Sequence, residues 1–277
     1  MQTLKLPNGD AIPVLGMGTW QMGESGKNRQ SEVKALQYGL DLGLSLIDTA
    51  EMYGEGGAEE VIAEAIASRR SDVFLVSKVY PHNASKRGAI AACERSLQRL
   101  KTDYLDLYLL HWRGSIPLSE TLEAFATLQQ AGKIRSYGVS NFDLQDMQAA
   151  IGLENGSQIA TNQVLYNLTR RGIEWDLLPW CRQHSIPVMA YSPIEQGRML
   201  NHRTLNQLAE ARGVSAAQIA IAWLLHQDNV IVIPKASRIN HVEQNYNALT
   251  LQLSPEELAT LDSAFPPPSQ PTPLEML

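Results

Sequence analysis

A chain of 277 residues, 44% hydrophobic and 19% charged, has ordinary globular composition, and its length suits either two domains or one large α/β domain. Its net charge of −6, from 23 basic and 29 acidic side chains with no long basic cluster, argues against nucleic acid and anionic membranes as partners. The two cysteines, Cys93 and Cys181, read as reduced, packed thiols; the start of the chain lacks a signal-peptide shape and no apolar run reaches the roughly 18 residues of a membrane span, so a cytoplasmic protein is expected.

The chain opens with Leu4 to Pro13, which reads as a hairpin turning at Asn8-Gly9 and forming a lid on one end of the domain. A regular alternation of short apolar run, loop and amphipathic helix then begins. The predicted strands are Leu15–Gly18, Leu44–Asp48, Val73–Lys78, Asp106–His111, Tyr137–Asn141, Ile159–Gln163, Pro187–Tyr191 and Val230–Pro234. Between them, Val33, Leu36 and Leu40 share one helix face, as do Ile90, Cys93, Leu97 and Leu100. Asp143 reads as the N-cap of a helix through Met147 and Ile151, and Ala216–Leu225 as an apolar helix behind Ser215. Ser254-Pro255-Glu256-Glu257 carries cap, proline and glutamate in the order that starts a helix. The proline-rich tail, 266–277, cannot be helical and reads as an extended arm, either over the mouth of a site or loose. Eight strand–helix alternations without a composition break favour one α/β domain over residues 1–277. Its expected form is a (β/α)8 barrel of the TIM type with an N-terminal β-hairpin and extra C-terminal helices.

In such a barrel the chemistry sits at the carboxyl ends of the strands. Thr19-Trp20 follows the first strand, and the next three end in Asp48, Lys78 and His111. Ser140-Asn141, Gln163, Tyr191-Ser192 and Lys235 end the remaining four, with Ser237 and Arg238 just beyond. Asp48 would be costly to bury alone, and Lys78 ends the adjacent strand, within reach of its carboxylate. Tyr53, on the loop after Asp48, can lean back over both. A nearby ammonium should lower the phenol pKa from its free value near 10 and make Tyr53 a competent proton donor. Neutral His111 can donate a second hydrogen bond to an oxygen gaining negative charge. The set suits carbonyl reduction, hydride arriving at carbon while a proton arrives at oxygen.

Hydride needs a donor that side chains cannot supply. Neither Gly16–Gln21 nor Gly54–Glu59 completes a Rossmann fingerprint, and no P-loop occurs. Ser192, Lys235, Ser237 and Arg238 suit a phosphate after strands seven and eight. Asn141 and Gln163 suit a carboxamide, and Tyr191 a planar ring. Arg238 is the natural clamp for an adenosine 2′-phosphate, which favours NADPH over NADH. The six histidines show no metal-ligand spacing, so no metal is expected.

The motifs IDTAEMYG, LVSKVY, LLHW, GVSNF, NQV, AYSP and IPKAS, in that order over nearly the whole chain, resemble the aldo-keto reductases, most closely the bacterial branch that reduces methylglyoxal and similar small dicarbonyls. The resemblance implies a tetrad of Asp48, Tyr53, Lys78 and His111. It implies a nicotinamide packed on Tyr191 with its carboxamide held by Ser140, Asn141 and Gln163. It also implies cofactor contacts from Thr19, Trp20, Ser192, Pro193, Ile194, Lys235, Ala236, Ser237, Arg238, His241, Gln244 and Asn245. Trp20, Tyr80 and Trp112 match the aromatic substrate pocket, with Met52, Tyr53 and His111 beside them. Ala236, His241 and Gln244 depart from the serine, arginine and acidic residue frequent at those positions, which leaves NADH open beside NADPH. The short loops Arg113–Leu118 and Glu195–His202 and the short arm imply a shallow pocket for small or varied aldehydes and ketones rather than steroids.

Two other classes compete. One is a redox-sensing nucleotide-binding module with slow turnover, like the potassium-channel β subunits that resemble this fold. The other is a Schiff-base lyase using Lys78, against which an Asp partner that keeps the amine charged argues. With no seam in view, a monomer is the expectation.

Overall fold

The computed structural model describes residues 2–277. The expected hairpin forms: β1 (Thr3–Lys5) and β2 (Ala11–Pro13) pair antiparallel with Leu4 opposite Ile12. Gly9 takes φ 91° in the turn, a left-handed conformation open to glycine, and its N–H donates to the Leu6 carbonyl at 2.8 Å.

Eight further strands follow in chain order. They are β3 (Gly16–Gly18), β4 (Leu46–Asp48), β5 (Phe74–Val79), β6 (Leu105–Leu110), β7 (Ile134–Ser140), β8 (Ile159–Leu165), β9 (Val188–Tyr191) and β10 (Val230–Val232). Each pairs in parallel with the next, and bridges from Leu15 to Val232 and from Gly18 to Lys235 join the first to the last. Closure removes both sheet edges, so no row of backbone donors is left unpaired. The eight strands sit where the sequence places them, although β4 begins at Leu46 rather than Leu44 and β10 stops at Val232.

Side chains alternate across each strand. Leu46, Val76, Leu107, Leu109, Ala160, Met189, Ile231 and Ile233 fill the barrel interior, and Leu6 and Ile12 of the hairpin plug its amino end. Their neighbours Ile47, Leu75, Tyr108 and Val139 face outward into the larger core beneath the helices. The same period of two carries Asp48, Lys78 and His111 inward, each two residues beyond a barrel-filling Leu46, Val76 or Leu109.

β8 breaks the period. Tyr137 pairs with Ile159 but Val139 pairs with Asn162, so three residues of β8 oppose two of β7. The extra residue is a β-bulge, and it changes which side chains face in. Ala160 is inward, and three positions later Gln163 is inward as well, reaching Asp48.

The helices are α1 (Arg29–Leu42), α2 (Gly57–Ala65), α3 (Lys86–Leu100), α4 (Leu118–Gln130), α5 (Leu144–Ile151), α6 (Leu177–Gln183), α7 (Arg203–Arg212), α8 (Ala216–Leu225), α9 (Ile239–Asn247) and α10 (Pro255–Ala264). Asp143 caps α5 by accepting from the Asp146 N–H at 2.8 Å. Ser215 with Gln218 and Ser254 with Glu257 form reciprocal capping boxes at α8 and α10. Cys93 and Cys181 are buried and unbridged, and burial pushes both thiols up to about 12. Among the described residues no single helix is long and apolar enough to cross a membrane. The tail beyond Phe265 has no regular secondary structure and crosses the carboxyl end of the barrel, where Glu275 pairs with Arg170.

Candidate active site

A cavity of about 530 Å³ opens at the carboxyl end of the barrel. Its floor is built around Asp48. The Lys78 ammonium donates to Asp48 Oδ2 at 2.7 Å and to the Thr49 carbonyl at 2.7 Å, and lies 3.4 Å from the Tyr53 hydroxyl. The Gln163 amide donates to the other carboxylate oxygen, Oδ1, at 2.7 Å. Asp48 and Lys78 are both almost wholly excluded from solvent. Such a pair persists because every charged atom is hydrogen-bonded.

Tyr53 arrives from a different element. It opens a single distorted turn, Tyr53–Gly56, between β4 and α2. That turn packs on the loop after β3 so tightly that a Cβ on Gly23 would lie 2.1 Å from the Gly57 backbone carbon. The glycines after Tyr53 are therefore a close backbone contact that sets where the phenol points. His111 meets Tyr53 edge to face, ring centroids 5.8 Å apart, and Trp112 packs on His111 at 4.8 Å.

The charge states follow from burial. His111 is pulled down from 6.5 to about 2, by loss of solvent first and by the Lys78 ammonium second, and is neutral. Its Nδ1 is buried with no protein partner. An unmatched lone pair is cheaper than an unmatched N–H, so the proton belongs on Nε2. Burial lowers Lys78, and the attraction of Asp48 opposes the shift. Tyr53 departs from the sequence-based expectation. Burial first, and the Asp48 charge second, push its phenol well above 10. The ammonium that was expected to acidify it is already neutralised by Asp48. Tyr53 is thus fully protonated, and a phenol so placed could give up its proton only to a much stronger base such as an alkoxide.

One wall carries the groups expected to hold a nicotinamide. Ser140 donates to the Gln163 carbonyl at 2.8 Å, and Asn141, at φ 58°, donates to the His111 carbonyl at 3.1 Å. The Tyr191 hydroxyl donates to Asn141 Oδ1 at 3.0 Å, which holds its ring along the cavity. No described residue donates to the side-chain oxygen of Gln163, Oε1. Thr19, Trp20, Ser192, Pro193, Ile194 and Lys235 line the same cavity. Ala236, Ser237, Arg238, His241, Gln244 and Asn245 lie outside it, on the connection from β10 into α9 and on α9 itself. Among the described residues no hydrogen bond engages the Lys235, Ser237 or Arg238 side chains, so three polar groups on one rim remain available to a phosphate. A planar ring over Tyr191 with its phosphates toward Lys235 fits this arrangement.

The opposite wall is Trp20, Met52 and Trp112, with Tyr53 and His111 below. Tyr80 does not line the cavity; it stands behind Trp112, edge to face at 5.8 Å. Sequence reasoning did not single out Gln21, Gln196, Gly197, Ile233, Met276 or Leu277, all of which line the cavity. It also passed over Glu51, whose buried carboxylate accepts from the Tyr80 N–H at 2.8 Å and from Asn83 at 3.0 Å and so fixes the loop after β5. Among the described residues no group of three or more His, Cys, Asp or Glu side chains could hold a metal ion.

The chain is 54% identical over 272 residues to methylglyoxal reductase YeaE of Escherichia coli, covering 96% of each chain. It is 34% identical to glyoxal reductase of Bacillus subtilis, covering 94% of this chain and 92% of that one. The crystal structure of an aldo/keto reductase from Klebsiella pneumoniae in complex with NADP and acetate superposes with a TM-score of 0.97 at 54% identity, covering 99% of both chains. The aldo/keto reductase family model matches residues 14–265. The chain belongs to the aldo/keto reductase family.

Proposed function

We propose that the protein is an NADPH-dependent reductase of aldehydes and small α-dicarbonyls, with methylglyoxal as the type substrate. The observation that carries this reading is the Tyr53 hydroxyl beside the buried Lys78–Asp48 pair, with neutral His111 facing it across the cavity floor. When bound, NADPH supplies hydride to the carbonyl carbon. Tyr53 gives its proton to the carbonyl oxygen, and His111 donates from Nε2 to the same oxygen, orienting it and stabilising the charge that develops. Lys78 and Asp48 hold the phenol in place. A nicotinamide and its substrate must share about 530 Å³, so little room is left for the carbonyl compound beside Trp20, Met52 and Trp112. That favours two- and three-carbon carbonyls over bulky ones. Similarity to methylglyoxal and glyoxal reductases supports the same substrate class.

Lys78 is unsuited to Schiff-base chemistry. Its amine is wholly buried, pinned by Asp48 and the Thr49 carbonyl, and absent from the cavity wall. One chain carries every group named above, so a monomer suffices. A reductase that draws on NADPH belongs in the cytoplasm, where that nucleotide is kept reduced.

The test is a panel of aldehydes and dicarbonyls run with NADPH and NADH in parallel on wild type and Tyr53→Phe. Wild type should consume NADPH with methylglyoxal. The variant should lose roughly 10²- to 10⁴-fold in kcat, the range for a positioned acid, while its NADPH affinity stays within about twofold. A fully active Tyr53→Phe would remove Tyr53 as the acid. Tight nucleotide retention with very slow turnover in the wild type would point instead to a redox sensor.

A further inference from the structure

The loop after β9 carries unusual backbone strain. Ser192, Glu195 and Gln196 have φ of 49°, 50° and 54°, followed by Gly197 at 88°. Three non-glycine residues in the left-handed region so close together persist only where surrounding contacts over-determine them. The contacts converge on Glu195. Its carboxylate is only 5% exposed and turns away from the cavity, while Ile194, Gln196 and Gly197 line it. It accepts from Asn167 Nδ2 at 2.9 Å, from Arg170 Nε and Nη2 at 3.1 and 2.9 Å, and from Arg198 Nη2 at 2.9 Å. Burial opposes its ionisation, but the bonds from Arg170, Asn167 and Arg198 outweigh that and hold it below the usual carboxylate range. Asn167 uses its other N–H on the Ser192 carbonyl, at 2.9 Å.

Arg170 has a second partner. Its Nη1 pairs with Glu275 of the arm, and the next two residues, Met276 and Leu277, form part of the cavity wall. One guanidinium therefore joins the strained loop to the arm. The arm's other contacts are Thr272 against Gly172, Leu274 on the core and the Leu277 backbone beside the Tyr191 hydroxyl; the pair with Arg170 is its ionic tie. Residues 271–273 are exposed, and a separate void of about 290 Å³ lies against Thr272–Glu275, between the arm and Leu144, Ile173 and Leu177. The preceding prolines make the arm a stiff strap, so its end swings as a unit once released.

We infer that Arg170 and Glu275 are positioning residues that determine substrate size: their ion pair latches Met276 and Leu277 over the cavity and confines it to small carbonyl compounds. The inference rests on the reductase reading for its substrates but not for its geometry. Glu275 is the residue to change, because it touches neither the floor nor the nicotinamide wall.

The experiment compares wild type, Glu275→Gln and the conservative Glu275→Asp. The first readout is the ratio of kcat/KM for 4-nitrobenzaldehyde to that for methylglyoxal. Glu275→Gln should raise it about two- to fivefold through KM rather than kcat, the range that a partly exposed ion pair allows, and Glu275→Asp should restore most of the wild-type ratio. About 1 M salt should raise the ratio in wild type and leave Glu275→Gln unmoved, since only an intact pair can be screened. The second readout is hydrogen–deuterium exchange of the Met276 and Leu277 amides in the unliganded protein, which should quicken in Glu275→Gln. Unchanged exchange would show that the pair does not hold the arm, and quickened exchange with an unchanged ratio would show that the arm does not set size; either overturns the inference. A wild type that oxidised NADPH with neither aldehyde would defeat the reductase reading instead, and the exchange experiment would still test the latch.

Discussion

Asp48 accepts from two buried donors, Lys78 and Gln163, and its charge acts, after burial, on the groups nearby. Burial first, and the Asp48 charge second, keep the proton on Tyr53; burial first, and the Lys78 ammonium second, keep His111 neutral. The His111 shift has a consequence for stability. Its folded pKa, about 2, lies below the unfolded value of 6.5, so the unfolded chain binds the extra proton between those limits. The contribution is fully present above about pH 6.5 and is lost as pH falls towards the folded pKa. Below about pH 6 this one group should remove up to ~1.4 kcal/mol of unfolding free energy per pH unit. His111→Gln should flatten the pH dependence by that share. Denaturant titrations of both proteins at several pH values check it, and parallel curves would mean that His111 is not held neutral.

Among the elements, the turn that presents Tyr53 depends on a backbone contact rather than a side-chain one. Gly57 begins α2 with ordinary helical φ, yet a Cβ there would lie 2.5 Å from the Gly23 carbonyl oxygen. Backbone on both sides leaves nothing flexible to yield. Gly57→Ala should therefore push the Tyr53 turn off the β3 loop. The expected result is a loss of about 1–3 kcal/mol in stability from overpacking. A fall in kcat of up to about 10²-fold should accompany it, as for a displacement near 1 Å. Nucleotide affinity should hold, because Ser140 and Tyr191 are carried by β7 and β9, not by the β3 or β4 loops. Thermal unfolding, kcat and nucleotide titration on the same preparation separate these effects. A variant with normal kcat would show that the turn tolerates the shift. The bulge in β8 works by a related route: one extra residue changes the phase of the strand and turns Gln163 onto Asp48.

Over the whole molecule, stability and chemistry sit at opposite ends of one barrel. Leu6 and Ile12 plug the amino end, and the cavity opens at the carboxyl end. Ile12 is fully buried, so Ile12→Ala should cost about 2–5 kcal/mol through lost burial and the void it leaves. Below its lowered melting temperature the variant should reduce methylglyoxal with kcat/KM within about twofold of wild type. A large fall in kcat/KM in the folded variant would show that the two ends are coupled through the interior layers. The short eighth strand makes the ring close through the backbone bridge from Gly18 to Lys235, which brings the expected phosphate rim beside Thr19 and Trp20.

The eight strands, the three capped helices and the inward phase of Asp48, Lys78 and His111 were legible along the chain, because apolar period and cap chemistry are local properties. So was the convergence of polar residues on one rim, since every parallel strand ends on the same side. The protonation of Tyr53 was not legible. It depends first on how deeply the phenol is buried, and then on whether Lys78 lies nearer Tyr53 or Asp48; only a folded floor decides the burial and sets 3.4 Å against 2.7 Å. Nor could the chain order reveal that Gln163 faces Asp48, since a one-residue bulge reverses the face of everything beyond it. The junction of Asn167, Arg170, Glu195 and Glu275 joins residues up to 105 positions apart, and no periodicity reaches that far. Those features belong to packing between elements, where the energy of a side chain depends on neighbours that the linear order does not name.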